Sequence, residues 1–151
     1  GFIKHHEQYP EMQTGAHKDL ECTTCHDSHV TRASGIKVAK GNKEVCDTCH
    51  AEQREKYTGS SMQKAGVKCQ DCHMARATKS AIKNGPYEGD VWSHLFKIDT
   101  GADYSMFAKD AKKKVIAKGA LSLEYACFSC HADASKEAYS KIKGYHTLGK
   151  K

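Results

Sequence analysis

Cysteine and histidine recur together four times in this chain, always as Cys-x-x-Cys-His. The segments are Cys22-Thr-Thr-Cys25-His26, Cys46-Asp-Thr-Cys49-His50, Cys69-Gln-Asp-Cys72-His73 and Cys127-Phe-Ser-Cys130-His131. Together they use all 8 cysteines. The spacing fits covalent haem attachment: two thiols three residues apart add across the vinyl groups of one porphyrin edge, and the next histidine swings under the ring to ligate iron. Four haem c groups are therefore expected, held by the eight cysteines, with His26, His50, His73 and His131 as proximal iron ligands. A disulfide framework would leave about 105 pairings open and would need no fixed histidine partner. Paired zinc sites do not explain why histidine always follows the second cysteine.

A low-spin electron carrier needs a strong ligand on the second face of each iron as well. The chain has 10 histidines, and six lie outside the motifs: His5, His6, His17, His29, His94 and His146. That is more than four irons need, so mostly bis-histidine haems are expected. His29 lies three residues after His26, too close to reach the far face of the same iron, so it would serve a neighbouring haem. His17 precedes the first motif and could do likewise. His94 sits in Asp90-Val91-Trp92-Ser93-His94, and His146 follows Gly144-Tyr145. His5 and His6 are adjacent, so at most one is expected to bind. Met62 is the competing ligand, although packing suits it better. Met74 directly follows His73 and cannot reach that haem's far side, while Met12 and Met106 read as packing residues.

The elements that must position these ligands are short. The 151 residues suffice for one domain, read as a single tetrahaem unit. In it residues 1–21 form an arm supplying distal ligands, 22–73 hold three haem motifs, 74–126 form a haem-free wrapping segment and 127–151 a C-terminal haem helix. The first three motifs form a weak internal repeat. Residues 31–43 read as a loop or small hairpin, and Gly85-Pro86 marks a turn. A helix is expected from Asn42, a potential cap, to Tyr57, ending near Gly59. The best helix is expected over 120–143, capped by Ser122 and carrying the fourth motif. Trp92, Phe96, Tyr104 and Phe107 suit packing on haem faces. The expected fold class is a multihaem cytochrome c: a small, mostly irregular chain with a few α-helices wrapped around four closely packed haems and little β-structure. Only 38% of the residues are hydrophobic, eight of them the cysteines, so the porphyrins must supply the missing core. The apoprotein is expected to be largely unfolded.

The polypeptide carries a formal charge of +6. Taking each ferric haem with two propionates as about −1, four would bring the holoprotein to roughly +2, and full reduction to roughly −2. The lysines of 109–118, including Lys112-Lys113-Lys114, read as a solvated or docking face rather than a nucleic-acid site. No stretch is long and apolar enough to span a membrane, so no direct membrane span is expected. Covalent haem belongs to exported compartments, which predicts a periplasmic or extracellular protein whose signal peptide was removed. No dinucleotide fingerprint, phosphate loop or hydrolase elbow is present.

Three stretches carry a family resemblance. One is Glu7-Gln8-Tyr9 leading through His17 to Cys22-Thr-Thr-Cys25-His26-Asp27-Ser28-His29. Another is Tyr57-Thr-Gly-Ser60-Ser61-Met62 leading through Gly66-Val67 to Cys69-Gln-Asp-Cys72-His73-Met74. The third is Ser93-His94-Leu95-Phe96. They resemble the multihaem cytochromes c of the cytochrome c554 and NapC/NirT-related groups, and the tetrahaem cytochromes that polymerise into extracellular conducting filaments. The resemblance implies that the residues matching His17, His29 and His94 are distal ligands. In these families the tyrosine-serine stretch often ends in histidine, where this chain has Met62. The expected function is electron transfer in anaerobic or extracellular respiration, as a shuttle or redox-complex subunit with redox proteins as partners and no enzymatic activity. The alternatives are a filament protomer, with His5 or His6 ligating a haem of an identical subunit, and a nitrite or hydroxylamine reductase, which needs an open distal position.

Overall fold

Each Cys-x-x-Cys-His segment winds into about one helical turn, and the chain between them folds into short pieces. The computed structural model describes residues 7–26, 38–39, 43–44 and 46–150. His5, His6 and His29, and the expected cap Asn42, lie outside the described residues.

In chain order the elements begin with α1 (Gln8–Gln13), whose Pro10 falls in the first turn, where no intrahelical donor is lost. Then come α2 (Cys22–Cys25), the paired strands β1 (Val38–Ala39) and β2 (Lys43–Glu44), α3 (Cys46–Cys49), α4 (Ala51–Tyr57), α5 (Ser61–Lys64) and α6 (Cys69–His73). Next are β3 (Thr78–Gly85), β4 (Glu88–Val91), β5 (Ile98–Asp99), β6 (Phe107–Lys109), β7 (Val115–Ala117) and β8 (Leu121–Ser122). The chain closes with α7 (Leu123–Cys127), α8 (Lys136–Ser140) and a 3-10 turn over Tyr145–Thr147. The strands pair two by two, parallel for β5–β8 and antiparallel for the others. None closes into a barrel. This is the fold class the sequence predicts.

Two helices differ from expectation. The run over 120–143 is not one helix: α7 ends at Cys127 and α8 starts afresh at Lys136. Ser135 caps the new start, its hydroxyl accepting the Ala138 N–H at 3.2 Å. Ser122 occupies the expected cap position of α7 but its side chain makes no capping bond. The helix expected from Asn42 is instead β2, α3 and α4, broken at His50, whose φ of −108° and ψ of 42° leave the helical region. The small hairpin is present as β1–β2, and Gly85-Pro86 turns β3 into β4.

The chain divides into two compact units. One comprises the described parts of 1–18 and 68–143, and holds the third and fourth motifs. Its core is Ala75, Ala77, Leu95, Met106, Leu121 and Tyr125, flanked by Tyr87, Ile98, Tyr104 and Phe107. Met12 and Met106 are buried, as packing residues should be. The other unit comprises the described parts of 19–67 and 144–151, and holds the first two motifs. Tyr57 is the one hydrophobic side chain buried in it among the described residues. Polar ties hold it instead. Tyr57 donates to the Val67 carbonyl at 2.8 Å, the Ser60 hydroxyl accepts from Gln63 N–H at 3.2 Å, and Lys56 pairs with Glu52 at 2.6 Å along α4.

Candidate haem-attachment site

The pentapeptide geometry repeats because the backbone closes it. The N–H of His26 donates to the Cys22 carbonyl at 2.8 Å, that of His50 to Cys46 at 2.8 Å, and that of His131 to Cys127 at 2.9 Å. In the third motif the helix runs through His73 itself. One helical turn sets residues three apart on one face, so both thiols of a pair address the same side. All eight cysteines are thiols rather than disulfides. Among the described residues no three His, Cys, Asp or Glu side chains converge as a structural zinc site requires.

The third and fourth motifs are neighbours. Helices α6 and α7 pack together, and thiols of the two motifs act on each other: Cys130 on Cys72, and Cys72 on Cys127. Burial first, then Asp71, Cys130 and Cys69, pushes the Cys72 thiol up to about 11. Burial, then Cys72 and Cys130, pushes Cys127 to about 12. Only Cys127 of the fourth motif lies in α7; the rest follows the helix as a turn, with Cys130 N–H on the Cys127 carbonyl at 3.2 Å. That corrects the expectation that one helix carries the whole motif.

Around these turns the first unit collects histidines and aromatics. The His73 Nδ1 lies 2.8 Å from the Phe96 carbonyl. The Phe96 ring meets the His17 ring at 4.5 Å between centroids and the His94 ring at 5.8 Å. His17, His73 and His94 are thus grouped on one phenylalanine. His131 lies 5.6 Å from Tyr139, which continues through Phe128 and Tyr87 to Tyr125. Sequence reasoning did not single out these four aromatics; the nearness of Phe128 to the fourth motif was the available signal. Of the aromatics it did name, Trp92 lies under the Arg76 guanidinium at 4.7 Å, and Tyr104 under Lys118 at 4.7 Å.

Glu11 was also missed. It is 7% exposed, its Oε2 accepts the His94 backbone N–H at 2.6 Å, and its Oε1 is buried without a hydrogen-bond partner. Burial is the main reason its carboxyl is held above the ordinary range; the His94 bond opposes it, Glu7 adds to it and Thr78 opposes it. A single glutamate in a six-residue helix gives no such signal in sequence.

In the second unit, His26 and His146 are half-buried and His50 is exposed. His146 meets the Tyr57 ring edge-on at 6.4 Å. Its turn is tied down where Ser61 N–H donates to the Leu148 carbonyl at 2.8 Å and Lys150 Nζ to the Glu55 carbonyl at 3.0 Å. Met62 lies half-buried in α5.

These residues fit covalent haem. The thiol pairs share a face, a histidine closes each turn, and the second unit, with one hydrophobic side chain buried among its described residues, has room for the core that a porphyrin would provide. No helix among the described residues is long and apolar enough to cross a membrane.

Comparison with known proteins agrees. The family of the doubled CXXCH motif matches residues 15–55, which span the first two motifs. No curated protein is significantly similar in sequence. Among solved structures, the octaheme sulfite reductase of Wolinella succinogenes superposes with a TM-score of 0.56 at 21% identity, over 91% of this chain and 28% of that one. The chain therefore spans little more than a quarter of the relative's length. The likeness establishes a fold shared with a multihaem protein, and the four motifs equip that fold for several covalently bound c-type haems.

Proposed function

We propose that this chain transfers electrons through four covalently bound haem c groups, most of them ligated by two histidines, as a shuttle or redox-complex subunit in anaerobic or extracellular respiration. The observation that carries the proposal is the distribution of attachment turns. Each compact unit holds two Cys-x-x-Cys-His segments, and the second buries a single hydrophobic side chain among its described residues. A bound haem c supplies a one-electron Fe(III)/Fe(II) couple.

The chain's own residues set the conditions for that couple. The cysteine pairs fix each porphyrin edge by thioether bonds, and His26, His50, His73 and His131 offer one axial nitrogen each. His17 and His94 in the first unit, and His146 in the second, are the described candidates for the opposite faces, with His5, His6 and His29 as the remaining ones.

Partner choice is assigned to the β6–β7 hairpin. Lys109, Lys112, Lys113 and Lys114 are exposed on it, beside Val115 and Ile116, which are 59% and 43% exposed. Such a face suits an acidic redox protein. A periplasmic or extracellular location follows from covalent haem chemistry, and electron carriage rather than catalysis follows from the histidine surplus. The distant likeness to a sulfite reductase keeps a reductase as the second reading; it requires an iron with an open face.

Intact mass and the spectrum of the air-oxidised protein, from the Soret band into the near infrared, test the assignment together. Four added haems with only low-spin ferric signals are expected. Fewer than four haems would overturn the cofactor assignment. A high-spin component near one haem in four would transfer the assignment to the reductase, or to a protomer that takes a ligand from an identical subunit. A methionine-to-iron band would replace a histidine with Met62.

A further inference from the structure

Two non-glycine residues among those described have positive φ, Lys113 at +60° and Phe96 at +59°. Lys113 is explained by its turn, where Asp110 Oδ1 accepts the N–H groups of Lys112 and Lys114 at 2.9 and 2.8 Å. Phe96 is the centre of a three-residue turn, in which Lys97 N–H returns to the Leu95 carbonyl at 2.6 Å, a rare and strained arrangement at positive φ, and a bulky side chain there is an outlier that the surroundings must enforce.

They do so from both sides. Ser93 N–H donates to the Ala75 carbonyl at 3.2 Å, and His94 N–H to Glu11 Oε2 at 2.6 Å. Leu95 is 2% exposed in the core. Beyond Phe96, Lys97 N–H returns to the Leu95 carbonyl at 2.6 Å and the Lys97 carbonyl accepts Leu121 N–H at 2.8 Å. The strained residue is thus pinned at four neighbours, and its carbonyl ends 2.8 Å from His73 Nδ1.

A carbonyl oxygen can only accept, so Nδ1 must carry the proton, which leaves the lone pair on Nε2. That is the tautomer an iron-binding imidazole needs, and donation through the other ring nitrogen raises the basicity of the ligand. We infer that Phe96 is a positioning residue for His73: its left-handed backbone holds the carbonyl that fixes the ligand's tautomer and lowers the reduction potential of the haem on Cys69 and Cys72. This rests on the reading of His73 as an axial ligand. The Phe96 ring, between His17 and His94, explains why the position is not glycine, which would adopt the backbone without strain.

Two substitutions separate the carbonyl from the ring. Phe96→Gly removes the ring and keeps positive φ accessible; Phe96→Val resists positive φ and moves the carbonyl away. In the purified holoprotein, a redox titration followed by the paramagnetic NMR signals of the haem on Cys69 and Cys72 reads the effect. Phe96→Val is expected to shift the oxidised-to-reduced ratio of that haem toward reduced by about fivefold at fixed potential, the size of one ordinary hydrogen bond. Phe96→Gly, which keeps the carbonyl in place and loses only the ring contacts to His17 and His94, is expected to shift the ratio by clearly less than Phe96→Val. Equal shifts in both variants, or none in Phe96→Val, would overturn the inference. Should Phe96→Val fail to mature, the wild-type protein decides: the His73 Nδ1 proton must exchange with solvent more slowly than an unbonded imidazole proton, and rapid exchange overturns the assignment. Unmodified Cys69 and Cys72 in the wild-type mass would instead overturn the haem reading itself.

Discussion

Gly149 offers the sharpest test of how the second unit holds His146. Its φ is +72°, and a Cβ there would meet Ser61 Oγ at 1.8 Å and Ser61 Cβ at 3.0 Å. Gly149→Ala therefore meets two costs. An L-residue in the left-handed region loses about 1–2 kcal/mol, and forcing a methyl against a neighbour loses about 1–3 kcal/mol. The hydroxyl of Ser61 can rotate away; its Cβ cannot, so a combined penalty of about 2–5 kcal/mol is expected. Opposing it are the bonds from Ser61 N–H to Leu148 and from Lys150 to Glu55, each contributing about 1 kcal/mol net. The Tyr57–His146 ring contact adds about 0.5–1.5 kcal/mol. The two sides are comparable, so the tail should leave its seat in a substantial fraction of molecules and draw His146 away from the iron it is proposed to ligate. The assay is the high-spin charge-transfer band of the oxidised holoprotein, calibrated against His146→Ala. Gly149→Ala should show part of the His146→Ala amplitude, and adding Ser61→Gly should reverse some of it by removing the Cβ contact at 3.0 Å along with the hydroxyl. A Gly149→Ala protein with the wild-type spectrum and thermal midpoint would refute the reasoning. No band in His146→Ala would remove His146 from the ligand set.

Three further outcomes are expected. Replacing Cys22, Cys25, Cys46 and Cys49 by alanine should leave the second unit without order, since Tyr57 is the one hydrophobic side chain buried there among the described residues; amides of residues 46–67 should then exchange at unfolded-chain rates while core amides of the first unit stay protected. Reversing the charge of Lys112, Lys113 and Lys114 should slow oxidation by an anionic iron complex by about tenfold at low salt, and the difference should vanish near 1 M salt, where the screening length falls to about 3 Å. For Glu124, burial raises the carboxyl's pKa, but bonds from Ser122 and Lys136 outweigh it and the net shift is downward from 4.5. Its 2.9 Å ion pair with Lys136 therefore stabilises the fold above pH 4.5 and is lost as pH falls through the depressed value. Glu124→Gln should cost about 1–3 kcal/mol at pH 7, with the deficit in thermal midpoint closing at the acid end of that window.

What the sequence disclosed and what it hid divide along the range of the interactions. The Cys-x-x-Cys-His turn is local: five consecutive residues contain the whole motif, so the stretch from Cys69 to His73 is read directly from sequence, and the structure winds it into one short helix. The turn at Gly85-Pro86 is local for the same reason. The helix expected over 120–143 failed because absence of glycine and proline was taken as continuity. The attachment turn itself ends α7, as His131 N–H closes on Cys127, and Ser135 then caps a second start. The ligand environment is the opposite case. Glu11 meets His94 across 83 positions and His73 meets Phe96 across 23, and neither pairing has a periodicity to betray it. From sequence Phe96 suits packing on a porphyrin, yet the part of it that reaches His73 is its backbone carbonyl, aimed by a φ that the residue type argues against. In a chain whose core is meant to be largely cofactor, side-chain hydrophobicity says where the protein is thin. Which backbone group steadies which ligand is decided by strain and burial in three dimensions, and a deviation such as Phe96 is where that decision becomes visible.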